Sequence, residues 1–472
     1  MRAISLFGTG LHGISETMSS EDRLNCFYEV KQNDDRTTII VRGMPGNYRW
    51  ITLPTTPVQA LRTVGDTLYA VTVSNLYSIT TAGVVTNLGT VNATGGAMMS
   101  DNYVQVIIVT GVVGYVYTIA TNVLTAITDS HFPQTATTVT FLSGRFVVEK
   151  PGTREFYESA ALDGLNWTYL SLPIYGTKEQ YSDALLAVEN LNGVLVLFGT
   201  RTMEFWQDAG LSPQPFQLIS GTTQVIGLVS IVSLATVGAN LLFLGSTAQG
   251  SRAVYSLNGY TPKRISTPEV EDVINTLAET YDISTMAAIA YSAHGHDFYQ
   301  LTLNEVSTLV YDATAGLWGR RTSGTVWQWH QAKQGAPFNN NVVFYGFQDG
   351  DLYVMDEFTY ADTYGPSVNQ VTTKHLRNGG DEFAITELSL LMDTGIVPQS
   401  VSYNITMEVS RDGGFTYGSP RVRTVGLVGQ HPTPRVKWDR LGSARDFVLR
   451  FTMTDPIPFT IVGSEIEMAT AK

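Results

Sequence analysis

Asn192-Gly193-Val194-Leu195-Val196-Leu197-Phe198-Gly199-Thr200-Arg201-Thr202-Met203-Glu204-Phe205-Trp206 is a turn, an apolar run, a polar turn and a second run that ends in aromatics. Each run is too short for a buried helix, and its Val, Phe and Trp favour a pleated surface. The stretch reads as a β-hairpin. The same unit recurs at Asp66 to Ile79, Asn102 to Ile119, Gly144 to Tyr157, Asn240 to Leu257, Asp297 to Tyr311 and Asn341 to Met355. Its starts lie about 35 to 55 residues apart, the range of propeller blades of about four strands. One hairpin cannot bury both of its faces, so the copies have to pack against each other around a ring or stack. The chain is therefore expected to be all-β, with a β-propeller-like body of six or seven blades over residues 61–360, after an N-terminal arm and first strands at 1–60.

Outward from this body, regular helix is predicted once, within a short helical insertion near 267–290. Thr267 is a candidate cap, Pro268 suits the first helical position, Glu269 and Glu271 suit its positive end, and Val270, Val273, Ile274 and Leu277 share a face. Such a stripe points to a helix packed on the side of a blade. Past Tyr360, Ala361-Asp362-Thr363-Tyr364-Gly365-Pro366-Ser367 reads as a linker. Beyond it, Ile385 to Met392, Ser402 to Val409, Val436 to Trp438, Phe447 to Thr452 and Phe459 to Met468 read as strands of a C-terminal β-sandwich over 361–472.

Only 15% of the 472 residues are charged, while Gly numbers 43 and Tyr 23, a mixture suited to short strands and turns. The net charge of −13 is not gathered in a tail and opposes general binding to nucleic acid or anionic membranes. Cys26 is the one cysteine, so neither an intrachain disulfide nor a cysteine-based zinc site can form. The first ten residues lack the apolar core and cleavage site of a secretion signal, which predicts folding in a reducing cytoplasm. The Asn-x-Thr triplets at Asn92, Asn166 and Asn404 then carry no glycosylation meaning. Val225 to Leu244 is uncharged and long enough to span a bilayer as a helix, but Gly227, Ser230, Ser233, Thr236, Gly238 and Asn240 interrupt it. Val237-Gly238-Ala239-Asn240 reads as a turn between strands, and no membrane-spanning segment is expected.

Motifs that could carry chemistry have weak contexts. Gly8-Thr9-Gly10-Leu11-His12-Gly13 matches a dinucleotide fingerprint, but no strand leads into it and no helix follows, which favours a flexible N-terminal arm. His294-Gly295-His296-Asp297 could offer two imidazoles from one strand face and a carboxylate to a metal, but further ligands are not visible. Ser410-Arg411-Asp412-Gly413-Gly414-Phe415-Thr416-Tyr417 has the spacing of an Asp-box and reads as a tight turn under an aromatic; Asp163-Gly164-Leu165-Asn166-Trp167 is a looser relative. A glycosidase needs two converging carboxylates, and a sialidase an arginine cluster as well. Arg42, Arg145, Arg201 and Arg320 are scattered, and Glu204 sits in an aromatic strand where a structural hydrogen bond fits better. No residue is assigned a catalytic, cofactor or metal role, and no cofactor is expected. The enzyme alternative, motivated by the Asp-box, is a propeller-type glycan hydrolase or lyase whose turnover would collapse when one carboxylate such as Glu204 is replaced; the binding alternative is a glycan-binding host-recognition protein.

Several segments taken in order resemble a family. They are Asn25 to Glu29 with Arg42 to Gly46, Leu197 to Trp206, Gly295 to Tyr299 leading through Thr308 to Asp312 and on to Leu317-Trp318, and finally Ser410 to Tyr417 with Val436 to Gly442. This series is similar to the packaged-DNA stabilisation proteins, also called tail hub or nozzle proteins, of short-tailed bacteriophages. The resemblance implies a non-enzymatic virion protein of the tail, made in the host cytoplasm. It also implies a hexameric ring below the head-to-tail adaptor and portal, retention and passage of double-stranded DNA, and attachment of a needle, spike or fibre.

Overall fold

The computed structural model describes residues 2–3, 6–8, 10–11, 19–33, 36–282, 286–325, 328–346, 350–393, 403–425 and 435–470. Among these, seven antiparallel blades of four or five strands follow one another between residues 46 and 356. Blade 1 is Val58–Val64, Thr67–Thr72, Asn75–Thr80 and Val85–Thr90. Blades 2, 3 and 4 begin at Met98–Asp101, Val139–Leu142 and Leu185–Leu191. In blade 5, Ile226–Leu228 and Ala235–Val237 share one edge of Asn240–Thr247. The stretch weighed as a membrane span is thus three strands and connecting segments, with Val237 opposite Asn240 across the expected turn. No described helix is long and apolar enough to cross a membrane. Blade 6 starts at Ala287–Ala293 and blade 7 at Ala332–Phe338.

Side-chain alternation along the second strand of each blade explains how the ring is held. In blade 2, Val106 and Ile108 pack with Tyr69 and Val71 of blade 1, while Ile107 and Val109 pack with Phe146 and Val148 of blade 3. In blade 4, Leu195 and Leu197 meet Val147 and Phe156 of blade 3, whereas Val196 and Phe198 meet Phe243 and Tyr255 of blade 5. A strand buried on both faces reads as an unbroken apolar run. This is why Val194 to Phe198 and Val106 to Val109 look continuous in the sequence. The layers continue around to blade 7, whose Val343 and Tyr345 pack with Leu68 and Tyr77 of blade 1.

The ring is closed by the N-terminal strand Gly46–Thr52, which forms the outer strand of blade 7 by pairing with Asp351–Asp356. A Cβ on Gly46 would collide with the carbonyl oxygens of Thr359 and Ala361, so the closing strand can seat this deeply only with glycine there.

Helix α1, Pro268–Thr280, packs Val270 and Ile274 into the layer between blades 5 and 6, with Val273 and Leu277 beside them. Thr267 departs from its expected role. Its side chain makes no cap bond, and the Glu271 carboxylate instead binds Arg264 and the Ser266 hydroxyl.

The sandwich has one sheet ordered Cys26–Asn33, Arg36–Gly43, Thr460–Thr470, Phe383–Met392, Arg435–Ala444. Its second sheet runs Asp22–Leu24, Asn369–Thr372, Asp446–Met453, Asn404–Ser410, Arg421–Thr424. Trp438, Phe447 and Phe451 fill the space between them. Leu24 also pairs in parallel with Arg320 of blade 6, which makes blade and sandwich one ten-stranded sheet. The N-terminal segment is therefore divided: residues 22–43 build the sandwich and 46–52 the last blade. The arm before them is packed where it is described, since Leu6 and Phe7 lie in the sandwich core and Leu11 beside α1; this corrects the expectation of a flexible arm.

Candidate functional site

The inner strands of the blades surround an axial cavity of about 480 Å³ at one end, lined by Met98, Thr110, Val232, Met286, Lys333 and Tyr345 among others. A second hollow of about 540 Å³ opens at the turns Asn339 to Asn341 and Gly238. Each is of the size of a small-molecule pocket, about 300–1,000 Å³. Among the described residues Lys333 is the one charged residue lining the first, and burial pulls its ammonium below the usual lysine range.

Charge separates the two modules. Residues 47–360 hold 13 basic against 24 acidic residues, a net charge of −11, while 361–472 hold 11 against 12. The acidic excess belongs to the propeller.

The junction of the modules is built from residues 22–25. Asp22 pairs with Arg320, and the Arg23 guanidinium donates to the Trp318 carbonyl oxygen and lies over the Tyr28 ring. Asn25, at φ 53°, donates from its amide to Thr322 Oγ1 (2.9 Å) and to the Val368 carbonyl (3.0 Å), and accepts from the Thr322 N–H (2.9 Å). Left-handed backbone is tolerated best by Gly, Asn and Asp, and here the asparagine also supplies the bonds. Next to this junction Arg321, 2% exposed, donates to Tyr291 Oη (2.7 Å), Gln300 Oε1 (3.3 Å) and the Pro45 carbonyl (2.6 Å). Asp362, pushed up to about 6 by burial, accepts from Asn47 Nδ2 (2.5 Å) and the Gly324 N–H (3.0 Å). Both groups fasten the start of the ring-closing strand. Neither was visible in the sequence, where Arg320 and Arg321 stand side by side and no local pattern says which is buried.

The residues singled out from the sequence are dispersed. His294 is not in a strand: with Gly295 it forms the left-handed turn between two strands of blade 6. The expected shared strand face is lost because the turn takes His294 out of the strand, although Phe27 packs against both imidazoles. His296 is buried against Asp312 Oδ2 (2.7 Å), and Asp297 binds Ser292. Glu204 is buried and accepts from the N–H groups of Glu179 and Gln180 and from Trp206 Nε1. That carboxylate is fully engaged in the fold. Arg42 pairs with Glu29, Arg145 donates to the Ser159 carbonyl, Arg320 pairs with Asp22, and Arg201 lies on an exposed turn. They do not converge. Cys26 is buried, and desolvation raises its thiol pKa far above the usual range. In the glycine-rich motif, Gly8 and Gly10 lie against Glu21, while Thr9, His12 and Gly13 fall outside the described residues.

The Asp-box segment folds as a closed turn. Ser410 Oγ donates to Asp412 Oδ1 (2.6 Å), and Asp412 accepts from the Thr416 N–H (2.9 Å) and Oγ1 (2.5 Å). These donors hold its pKa at about 2. Phe415 points to solvent, and Tyr417 stacks on the Arg450 guanidinium. Asp412→Ala is expected to lower stability by only about 1 kcal/mol, because the turn is exposed. Amide exchange should rise at 413–416 and nowhere in the propeller; loss of the whole sandwich signal would contradict this local role.

The chain resembles known proteins at two levels. The family model described as bacteriophage P22 Gp10, beta-propeller, matches residues 47–360, and the one described as bacteriophage P22 Gp10, beta-sandwich, matches residues 369–469. No curated protein matches. Among solved structures, a chain of the Mitotic Checkpoint Complex is 12% identical with a TM-score of 0.43, over 70% of this chain and 95% of that one. PorZ, a surface component of the type-IX secretion system of Porphyromonas gingivalis, is 10% identical with a TM-score of 0.40, over 73% of this chain and 44% of that one. The Neurospora crassa Pan2 WD40 domain is 9% identical with a TM-score of 0.41, over 66% and 94%. None of the three bears on function. The two Gp10 matches follow one another along the chain, one on each module of the fold. The chain therefore belongs to the P22 Gp10 family, the DNA-stabilisation and tail-hub structural proteins of short-tailed bacteriophages.

Proposed function

We propose that this chain is a non-enzymatic subunit of a ring, six copies in number, that sits below the head-to-tail adaptor in the phage tail, retains packaged DNA, conducts it at ejection and carries the distal needle, spike or fibre. The observation that carries this reading is the match of both modules, in order, to the Gp10 family. The chain would be made in the host cytoplasm and act in the virion. Two physical features agree with it. The propeller's axial cavity, about 480 Å³, is of small-molecule size, and on this reading DNA runs through the middle of a ring of copies instead. Each phosphate neutralised by a protein releases counterions and adds affinity, and a body of net charge −11 avoids that drag.

Native mass spectrometry of the purified chain, alone and with its adaptor, tests the proposal. A closed ring, formed alone or on the adaptor, is expected. A chain that stays monomeric with the adaptor in excess would rule the proposal out.

A further inference from the structure

The sandwich ends on one side in two strands, Arg421–Thr424 of one sheet and Arg435–Ala444 of the other, and arginines line that edge. Arg421 donates to the carbonyl oxygens of Asp439 (3.2 Å) and Arg440 (3.1 Å), Arg423 to that of Lys437 (2.9 Å) and Arg411 to that of Leu441 (2.7 Å). Arg440 is exposed at φ 56°, where glycine would be the easier residue. Carbonyl oxygens orient these guanidinium groups but do not neutralise them, and none of the four has a carboxylate within ion-pair distance among the described residues. Of the acids on the edge, Asp412 is committed to its own turn, which leaves Asp439 against four arginines. In a chain of net charge −13 this is a localised positive face.

The matching negative face lies on α1. Glu269, Asp272 and Glu279 fall at i, i+3 and i+10, one stripe opposite the buried Val270 and Ile274. Of the cations packed on this helix, Arg264 is taken by Glu271, and Arg252 donates to Asn275 Oδ1 (3.5 Å) beside the stripe. Glu269, Asp272 and Glu279 pair with no cation among the described residues. One molecule does not bring the two faces together: Arg421–Thr424 is the fifth strand beyond Leu317–Arg320 of blade 6 in the ten-stranded sheet, about 24 Å away at about 4.8 Å per strand.

We infer that the arginine edge of one copy docks on the acidic stripe of helix α1 in the next copy. Two different, complementary surfaces on each chain make a heterologous contact, the kind that closes into a ring. Charge complementarity favours a second copy as occupant, since the propeller of this same chain supplies an unpaired acidic helix. The inference rests on the ring reading above and names the surfaces that would build it.

Two charge-reversed chains test it, R423E/R440E and D272K/E279K, all at exposed positions. Arg421 and Arg411 are left in place, and because Arg423 also holds the Lys437 carbonyl, R423E/R440E is compared with R440E alone and with wild type by denaturant midpoint, so that lost folding and lost docking are read separately. Native mass spectrometry and sedimentation velocity across a salt series should show wild-type association weakening as salt rises, and each variant alone associating at least about tenfold more weakly. An equimolar mixture should regain assembly, with the two chains alternating, because every contact in it is again between opposite charges. Variants that each form rings as wild type does would overturn the docking surfaces and leave the ring reading standing. Wild type that remains monomeric at every salt concentration, with adaptor present, would overturn both. Binding of the wild-type edge to duplex DNA or anionic glycan, lost in R423E/R440E while ring formation persists, would also overturn it.

Discussion

Arg321→Met should lower the unfolding free energy by about 3–5 kcal/mol, the range for breaking a buried, hydrogen-bonded charge system by removing one partner. The guanidinium reaches Tyr291 and Gln300 in blade 6 and the Pro45 carbonyl just before the closing strand. It also lies 5.2 Å from the Tyr291 ring centre and lowers the pKa of the buried Asp362. Methionine fills similar space but offers no donor, so the Gln300 and Pro45 oxygens lose their partner and Asp362 loses its nearby cation. The measurement is the denaturant midpoint at unchanged slope, with hydrogen exchange mapped along the chain. Exchange should accelerate first at residues 46–52 and 351–356. An Arg321→Met chain with a wild-type midpoint would remove Arg321 from the closure.

Glu158→Gln should act in the opposite direction and only above acidic pH. Glu158 is fully buried between blades 3 and 4 with the Gln214 amide beside it, and desolvation pushes its pKa up to about 8. The Arg145 guanidinium offsets this in part, but donates to the Ser159 carbonyl rather than to Glu158. Between its ordinary pKa near 4.5 and about 8, the folded chain holds a proton that the unfolded chain has released. Stability is therefore lost as pH rises through that window, and is lost in full above it. Glutamine does not titrate. The variant should match wild type near pH 4.5 and exceed it by about 3–5 kcal/mol above pH 8, taking about 1.4 kcal/mol per pKa unit. Equal stability of the two chains at pH 9 would show that the carboxylate is solvated in the folded state.

Much of this architecture was legible in the sequence because burial on both faces writes itself as apolar runs. Val194 to Phe198 predicts a hairpin at the centre of a stack, and the structure places it between blades 3 and 5. The strands of the sandwich were legible from alternation instead, since one face of each lies in the core, as in Asn404–Ser410 and Arg435–Ala444. What escaped is long-range. Nothing in Gly46 to Thr52 announces that its partner lies about 300 residues later, since edge pairing depends on backbone and leaves little trace in side-chain type. Arg321, Asp362 and Lys178 are buried charges whose partners are set by tertiary packing. Lys178, for example, is enclosed by Asp183 and Thr202. The histidines show the converse. A strand reading placed His294 and His296 on one face, and the two-residue turn at His294 and Gly295 moved one of them out of the strand.

The pairing of Gly46–Thr52 with Asp351–Asp356 also sets a timetable for biosynthesis. The first strand leaves the ribosome early and stays unmatched until about 300 more residues have been polymerised, roughly 15–60 s at about 5–20 residues per second. For that interval the nascent chain is an open arc with a bare edge at each end, able to pair with another arc as readily as with itself. Slow translation or high expression will therefore raise the share of exchanged, intertwined chains, and finishing the last blade is the step that commits each polypeptide to a self-contained circle.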